Sequence, residues 1–118
     1  MLVDIQVCRV DKPRICRWVK NAVIDTRATV SAIPVDVAHE LGITFPRRRE
    51  FQLANGKKVA RPIGAAVIRL EDRSAADDVI TVPTGARATL SLCALGGMGY
   101  EVNPKTGRLK KLDAALLL

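Results

Sequence analysis

Asn55-Gly56 stands between two short segments, Phe51-Gln52-Leu53 and Lys58-Val59-Ala60. Asn-Gly between such segments is a strong local signal for a β-hairpin, because both residues accept a positive φ in a tight turn. The rest of the chain has the same character. Residues 2–9, Leu-Val-Asp-Ile-Gln-Val-Cys-Arg, alternate apolar and polar, as a half-buried strand does. Asp11-Lys12-Pro13 is a turn after which Arg14 to Trp18 can pair back. Ala22-Val23-Ile24 is a short apolar run ending at Asp25-Thr26. Residues 28–33 are small and β-branched, which favours extended backbone. Ile63 to Leu70 and Val79 to Val82 read as strands around a polar turn from Glu71 to Asp78. Tyr100-Glu101-Val102 and Arg108-Leu109-Lys110 flank a turn at 103–107.

Helical periodicity is confined to two places. Over residues 34–42, Val37, Ala38 and Leu41 fall on one face, Pro34 suits the first helical position, and Gly42 suits a left-handed C-cap. Leu92 to Met98 has helical character weakened by Gly96-Gly97. The sequence therefore predicts one mainly β domain over residues 1–118, with one or two short helices.

Composition removes several function classes. Hydrophobic residues make up 48% of the 118, enough for a core, but aromatics are only 3%, so that core is aliphatic. No apolar run approaches the ~20 residues that cross a bilayer. Met1-Leu2-Val3-Asp4 lacks the basic and apolar regions of a signal peptide. Cys8, Cys16 and Cys93 are an odd number without a Cys-x-x-Cys spacing, which predicts buried free thiols, no zinc site and a cytoplasmic location.

The stretch 22–43, AVIDTRATVSAIPVDVAHELGI, resembles the retropepsin-like aspartic peptidases. In that family an apolar strand leads into Asp-Thr-Gly-Ala, followed by a β-branched stretch and an Ile-Pro pair that opens a short helix ending in Leu-Gly. Asp25-Thr26, Ala28-Thr29, Ile33-Pro34 and Leu41-Gly42 stand at the matching places. FQLANGKKV, 51–59, is similar to the family's flap hairpin, and residues 88–109 are similar to its apolar-apolar-Gly loop, short helix and final strand. The resemblance implies an acid-protease-like, closed or partly closed β-barrel and a homodimer. Asp25 would be the catalytic carboxylate from each subunit and Thr26 a brace across the dimer. Arg27 and Ala28, with Ala54, Asn55, Gly56 and Lys57 of a flap at about 51–60, would line the peptide substrate. A segment at about 108–118 would lie in the dimer interface. Neither a metal nor a cofactor is implied.

Two residues depart from the family pattern. Arg27 replaces the glycine of Asp-Thr-Gly, and Thr89-Leu90-Ser91 ends in serine where the family has glycine. Glycine in such loops serves close approach or an unusual φ, so each larger side chain must leave the cleft or fill it. A guanidinium beside a carboxylate pair also favours the ionised form, moving the single-proton state to lower pH.

Other readings follow from other residues. With both glycines lost, the chain could be a dimeric module that binds peptide without cleaving it. The net charge of +7, with Arg47-Arg48-Arg49, Lys57-Lys58, Arg61 and residues 105–111, also raises nucleic-acid binding. Four aromatic residues offer little stacking platform for bases, so a solvated basic surface is the simpler expectation. His39 belongs to no Ser/His/Asp set and is expected on the surface, as are Asp36, Asp77 and Asp78.

Overall fold

The structure, a computed structural model, describes residues 1–114. Among them are nine strands and two helices: β1 (Leu2–Cys8), β2 (Cys16–Asp25), β3 (Ser31–Pro34), α1 (Val35–Leu41), β4 (Arg47–Gln52), β5 (Lys58–Leu70), β6 (Arg73–Val82), β7 (Thr89–Ser91), α2 (Leu92–Met98), β8 (Tyr100–Val102) and β9 (Leu109–Lys111). Seven strands form one sheet in the order β1-β2-β7-β3-β6-β5-β4, and β1 also pairs with β5 through Gln6↔Arg69, Val7↔Ile68 and Cys8↔Val67. β8 and β9 form a separate ribbon.

The alternation of β1 becomes a core face. Ile5 and Val7 are completely buried and join Ile33, Ile68, Val79, Leu90 and Leu95 in an aliphatic cluster. Both helices close onto that cluster, α1 through Val37, Ala38 and Leu41 and α2 through Ala94, Leu95 and Met98.

Several expectations change in detail. Residues 14–18 and 22–24 belong to one ten-residue strand, β2, antiparallel to β1. The register slips between Val3↔Ala22 and Ile5↔Val19, so two β2 residues, Lys20 and Asn21, oppose Asp4. Asn21 takes a φ of 58°, and its N–H donates to the Asp4 carboxylate at 3.0 Å, which stabilises the bulge. Pro34 caps α1 in extended geometry (φ −60°, ψ 140°) instead of opening its first turn, because it also ends β3. Gly42 is the left-handed C-cap expected of it, at φ 69°.

The eight-residue turn expected at 71–78 is really two residues, Glu71-Asp72, between Leu70 and Arg73. Glu71 adopts φ 57° there, and the polar residues beyond it belong to β6. α2 forms despite Gly96-Gly97; a Cβ at position 97 would come within 3.0 Å of the Ala75 methyl, so the glycine lets α2 approach β6 closely.

The hairpin at Asn55-Gly56 is present, with a different turn. Only Gly56 has a positive φ, 86°. Its N–H donates to Leu53 C=O at 2.9 Å, Leu53 N–H donates to Lys57 C=O at 2.7 Å, and the Asn55 side chain accepts from Lys57 N–H at 3.0 Å. This is a three-residue loop with glycine at its last position, so Asn55 acts through its side chain.

Cys8 and Cys16 are not free thiols. They sit opposite each other in the β1–β2 ladder and are joined by a disulfide, leaving Cys93 as the free cysteine among the described residues, and it is exposed where a buried thiol was expected. The hairpin brings together two cysteines eight residues apart, which spacing alone did not reveal. Cysteine usage therefore no longer argues for a reducing compartment. No helix among the described residues is long and apolar enough to cross a membrane. Of the segment expected at a dimer interface, residues 115–118 lie outside the described residues.

Candidate active site

Asp25 is the last residue of β2, where the strand passes into an exposed turn at Thr26-Arg27. Three interactions shape that turn. Arg27 N–H donates to Asp25 Oδ1 at 3.0 Å, Ala28 N–H donates to Asp25 C=O at 3.2 Å, and Leu92 N–H donates to Ala28 C=O at 3.2 Å. The Asp25 side chain is left one-third exposed (33%), so it is held by the backbone and still open to solvent.

β7 runs parallel to β2 in the register Val23↔Thr89, Ile24↔Leu90 and Asp25↔Ser91. Parallel pairing brings the ends of the two strands together, so the Asp25 turn and the start of α2 lie side by side. The two residues standing where the resemblance would place glycine meet here.

Their side chains leave in opposite directions. Arg27 has no positive φ, and its side chain is 89% exposed, with Nε 3.6 Å from Asp25 Oδ1. An ion pair this exposed is weak, since water screens it. Ser91 is completely buried. Its φ of −77° is ordinary, so the backbone does not require glycine. Its hydroxyl turns inward, accepting from Ala94 N–H at 3.0 Å as the N-cap of α2 and donating to Asp77 Oδ2 at 2.8 Å. Serine thus neither fills a cleft nor strains the loop.

Asp77 is not the solvated residue expected from its place in a polar stretch. Its Oδ2 also accepts from the hydroxyl of Ser31, completely buried, at 2.7 Å, and Ser31 Oγ accepts from Ser91 N–H at 3.0 Å. No residue pattern announced this cluster, because its members lie on β3, β6 and β7. The only signal was a small polar residue at an end of an apolar segment, Ser31 opening β3 and Ser91 closing β7.

The other expected site residues are placed less tightly. Ala54, Asn55, Gly56 and Lys57 form the exposed hairpin tip, while Thr26 is exposed beside Asp25. The hairpin's β4 limb contributes Arg49 to a groove of about 500 Å³ whose other lining residues include Thr29, Asp77, Asp78 and Cys93. The groove therefore links that limb with the chain just beyond Asp25. Asp78 pairs with Arg47 at 3.0 Å, and Asp36, exposed, accepts from the Thr84 hydroxyl at 3.3 Å. His39 is exposed, as expected.

The basic run is engaged residue by residue. Besides the Arg47–Asp78 pair, Arg48 donates to Ala60 C=O at 3.3 Å and Arg61 to Thr81 C=O at 2.8 Å, while Arg49 lies over the Phe51 ring at 5.8 Å from its centroid.

The architecture has a counterpart among solved structures. The solution structure of the simian foamy virus (mac) protease matches with a TM-score of 0.56 and 11% sequence identity, over 81% of this chain and 92% of that one. The fold is similar to that of a foamy virus protease. At this identity the likeness is one of fold alone. No protein-family model matches the sequence, and neither does any curated protein. Asp25, Ser91 and the turn between Thr26 and Ala28 thus occupy a protease-like scaffold without a sequence relative to define their roles.

Proposed function

We propose that the chain is an aspartic endopeptidase of the retropepsin-like type, acting as a homodimer. The observation that carries this reading is Asp25 itself. In a fold similar to a viral protease, it ends a core strand with its carboxylate gripped by the next turn and one-third open to solvent. One chain offers one such carboxylate, and a two-fold axis through the turn would present the same residue twice. We read the ring of strand pairings that β1 completes with β5 as the closed barrel that carries this turn.

Two carboxylates about 3 Å apart do not both ionise readily and share a proton. The ionised member takes a proton from water, which attacks the scissile carbonyl. The protonated member donates a hydrogen bond to the carbonyl oxygen, where negative charge develops. The pair titrates as one unit. The peptide would lie extended beneath the 54–57 tip, adding its backbone to the hairpin as a strand. Thr26 would brace one turn against its partner, and the C-terminal segment would lie between subunits.

Arg27 modulates this scheme. Its exposed guanidinium lies near Asp25 and, in the dimer, would meet its symmetry copy at the axis, beside the place where the scissile bond must enter. The same ion pair supports a second reading, a dimer that binds peptide and does not cleave it.

One experiment separates these readings: cleavage of a diverse peptide mixture from about pH 3 to pH 8 by the parent, Asp25→Asn and Arg27→Gly. The peptidase reading expects cleavage by the parent, none by Asp25→Asn, and activity kept or raised in Arg27→Gly. Cleavage that survives in Asp25→Asn refutes it. A folded parent that binds peptides but cleaves none at any pH replaces it with the non-catalytic reading.

A further inference from the structure

We propose that Asp77 is a positioning residue for Asp25, acting through a strap of hydrogen bonds that crosses three strands. This rests on the reading of Asp25 as the catalytic carboxylate. One oxygen, Asp77 Oδ2 on β6, accepts from Ser31 Oγ on β3 at 2.7 Å and from Ser91 Oγ at the β7–α2 corner at 2.8 Å. Ser31 Oγ in turn accepts from the backbone N–H of Ser91 at 3.0 Å, so the three residues close a triangle about the corner.

From that corner the path to Asp25 is backbone. Ser91 Oγ holds Ala94 N–H and so fixes the first turn of α2. The intervening Leu92 N–H donates to Ala28 C=O, and Ala28 N–H donates to Asp25 C=O. Asp25 and Ser91 are also direct partners in the β2–β7 ladder. The carboxylate of Asp77 thus sets where Ser91 stands, Ser91 sets where Leu92 N–H points, and Leu92 N–H holds the turn carrying Asp25.

The chemistry of the three residues suits this role. Ser31 and Ser91 are completely buried, and a buried hydroxyl needs an acceptor for its proton. A carboxylate oxygen can accept two hydroxyl protons at once, and bonds to an ionised acceptor are stronger than neutral ones. Each serine then has its own oxygen free to receive a backbone N–H. The strap also accounts for serine at position 91: its hydroxyl is committed on both sides and cannot reach toward Asp25.

The test compares Asp77→Ala, which removes the acceptor, with Asp77→Asn, whose amide oxygen can still accept both hydroxyls. Two readouts are taken on the intact chain: peptide-cleavage kinetics, and hydrogen exchange at the Ser91, Leu92 and Ala94 amides. Because sub-ångström misplacement of a reacting group is costly, Asp77→Ala is expected to lose about 10- to 100-fold in kcat with KM changed less than about threefold, while Asp77→Asn stays within about threefold of the parent. The three amides should lose protection in Asp77→Ala and keep it in Asp77→Asn.

Parent-like kcat in a folded Asp77→Ala variant overturns the proposal, as does an equal loss of kcat in both variants. If the parent cleaves nothing, the peptidase reading fails by itself. The strap is then judged by exchange alone: unchanged amide protection in Asp77→Ala overturns it, and selective loss there upholds it. If Asp77→Ala does not fold, Ser31→Ala removes one donor and one acceptor from the same triangle and is read by the same criteria.

Discussion

Replacing Ser91 by alanine removes a single oxygen that serves two bonds, and the cost follows from the geometry. The hydroxyl accepts from Ala94 N–H at 3.0 Å and donates to Asp77 Oδ2 at 2.8 Å, inside a completely buried residue. Loss of a serine N-cap costs about 1 kcal/mol. A hydrogen bond to a charged acceptor is worth about 1.5–3 kcal/mol. The two share an atom and a neighbourhood, so they do not simply add, and a total of about 2–3 kcal/mol is expected. For a domain of this size that corresponds to a fall in melting temperature of roughly 8–12 °C. Urea denaturation followed by circular dichroism measures it, with the slope m unchanged if only the folded state is affected. Ser91→Gly is the informative companion: glycine is a tolerable N-cap, so its excess loss over the cap term isolates the bond to Asp77. A loss below about 0.5 kcal/mol in Ser91→Ala, the scale of an ordinary surface change, would refute the account of Ser91 as a committed interior residue.

Two further expectations concern other parts of the molecule. A Cβ at Gly64 would be driven into the Thr44 carbonyl and within 3.1 Å of the Phe45 ring, so Gly64→Ala should destabilise by about 1–3 kcal/mol in a chemical melt, and a neutral result would contradict the close approach. Lys111 lies 2.8 Å from the carboxylates of both Asp72 and Glu71, and its hydrogen bond holds the Asp72 carboxyl below the usual carboxylate range. A depressed carboxyl contributes stability above its unfolded value near 4, and loses it as pH falls through the folded value, so the melting-temperature gap between parent and Asp72→Asn should close on acidification below about pH 4. A gap independent of pH would refute that linkage.

How much was legible in the sequence depended on whether the signal was local. The α1 helix, its apolar face and its Gly42 cap are encoded within nine residues, and the structure keeps all of them except the role of Pro34. The Asn55-Gly56 hairpin was visible for the same reason, though its turn type was not: one glycine with positive φ sufficed. The Glu71-Asp72 turn was obscured because β6 begins with Arg73-Ser74-Ala75-Ala76-Asp77-Asp78, small and polar residues of low strand propensity that only pairing with β5 makes extended. The cysteine pair was missed because ladder register, not spacing, set them face to face. Asp77 was missed because its two serine partners lie 46 and 14 residues away. The turn at Asp25 and the mainly β scaffold around it were legible; the long-range bonds through Ser31, Ser91 and Asp77 that tie that scaffold together were not.

That scaffold also implies an order of events as the chain folds. The ladders β1–β2, β4–β5 and β5–β6 join neighbours in sequence across short turns, and they close early because little loop entropy opposes them. The ladders around Asp25 differ: β2 must find β7, whose residues lie 66 positions further along, and β3 must find β6. Contacts of such separation are made slowly. A nascent chain that has emerged only as far as β6 already possesses Asp25 and the hairpin at 53–57, yet it lacks the strand that seats the carboxylate. The chemistry proposed for this residue would therefore switch on only once β7 and α2 have emerged and docked.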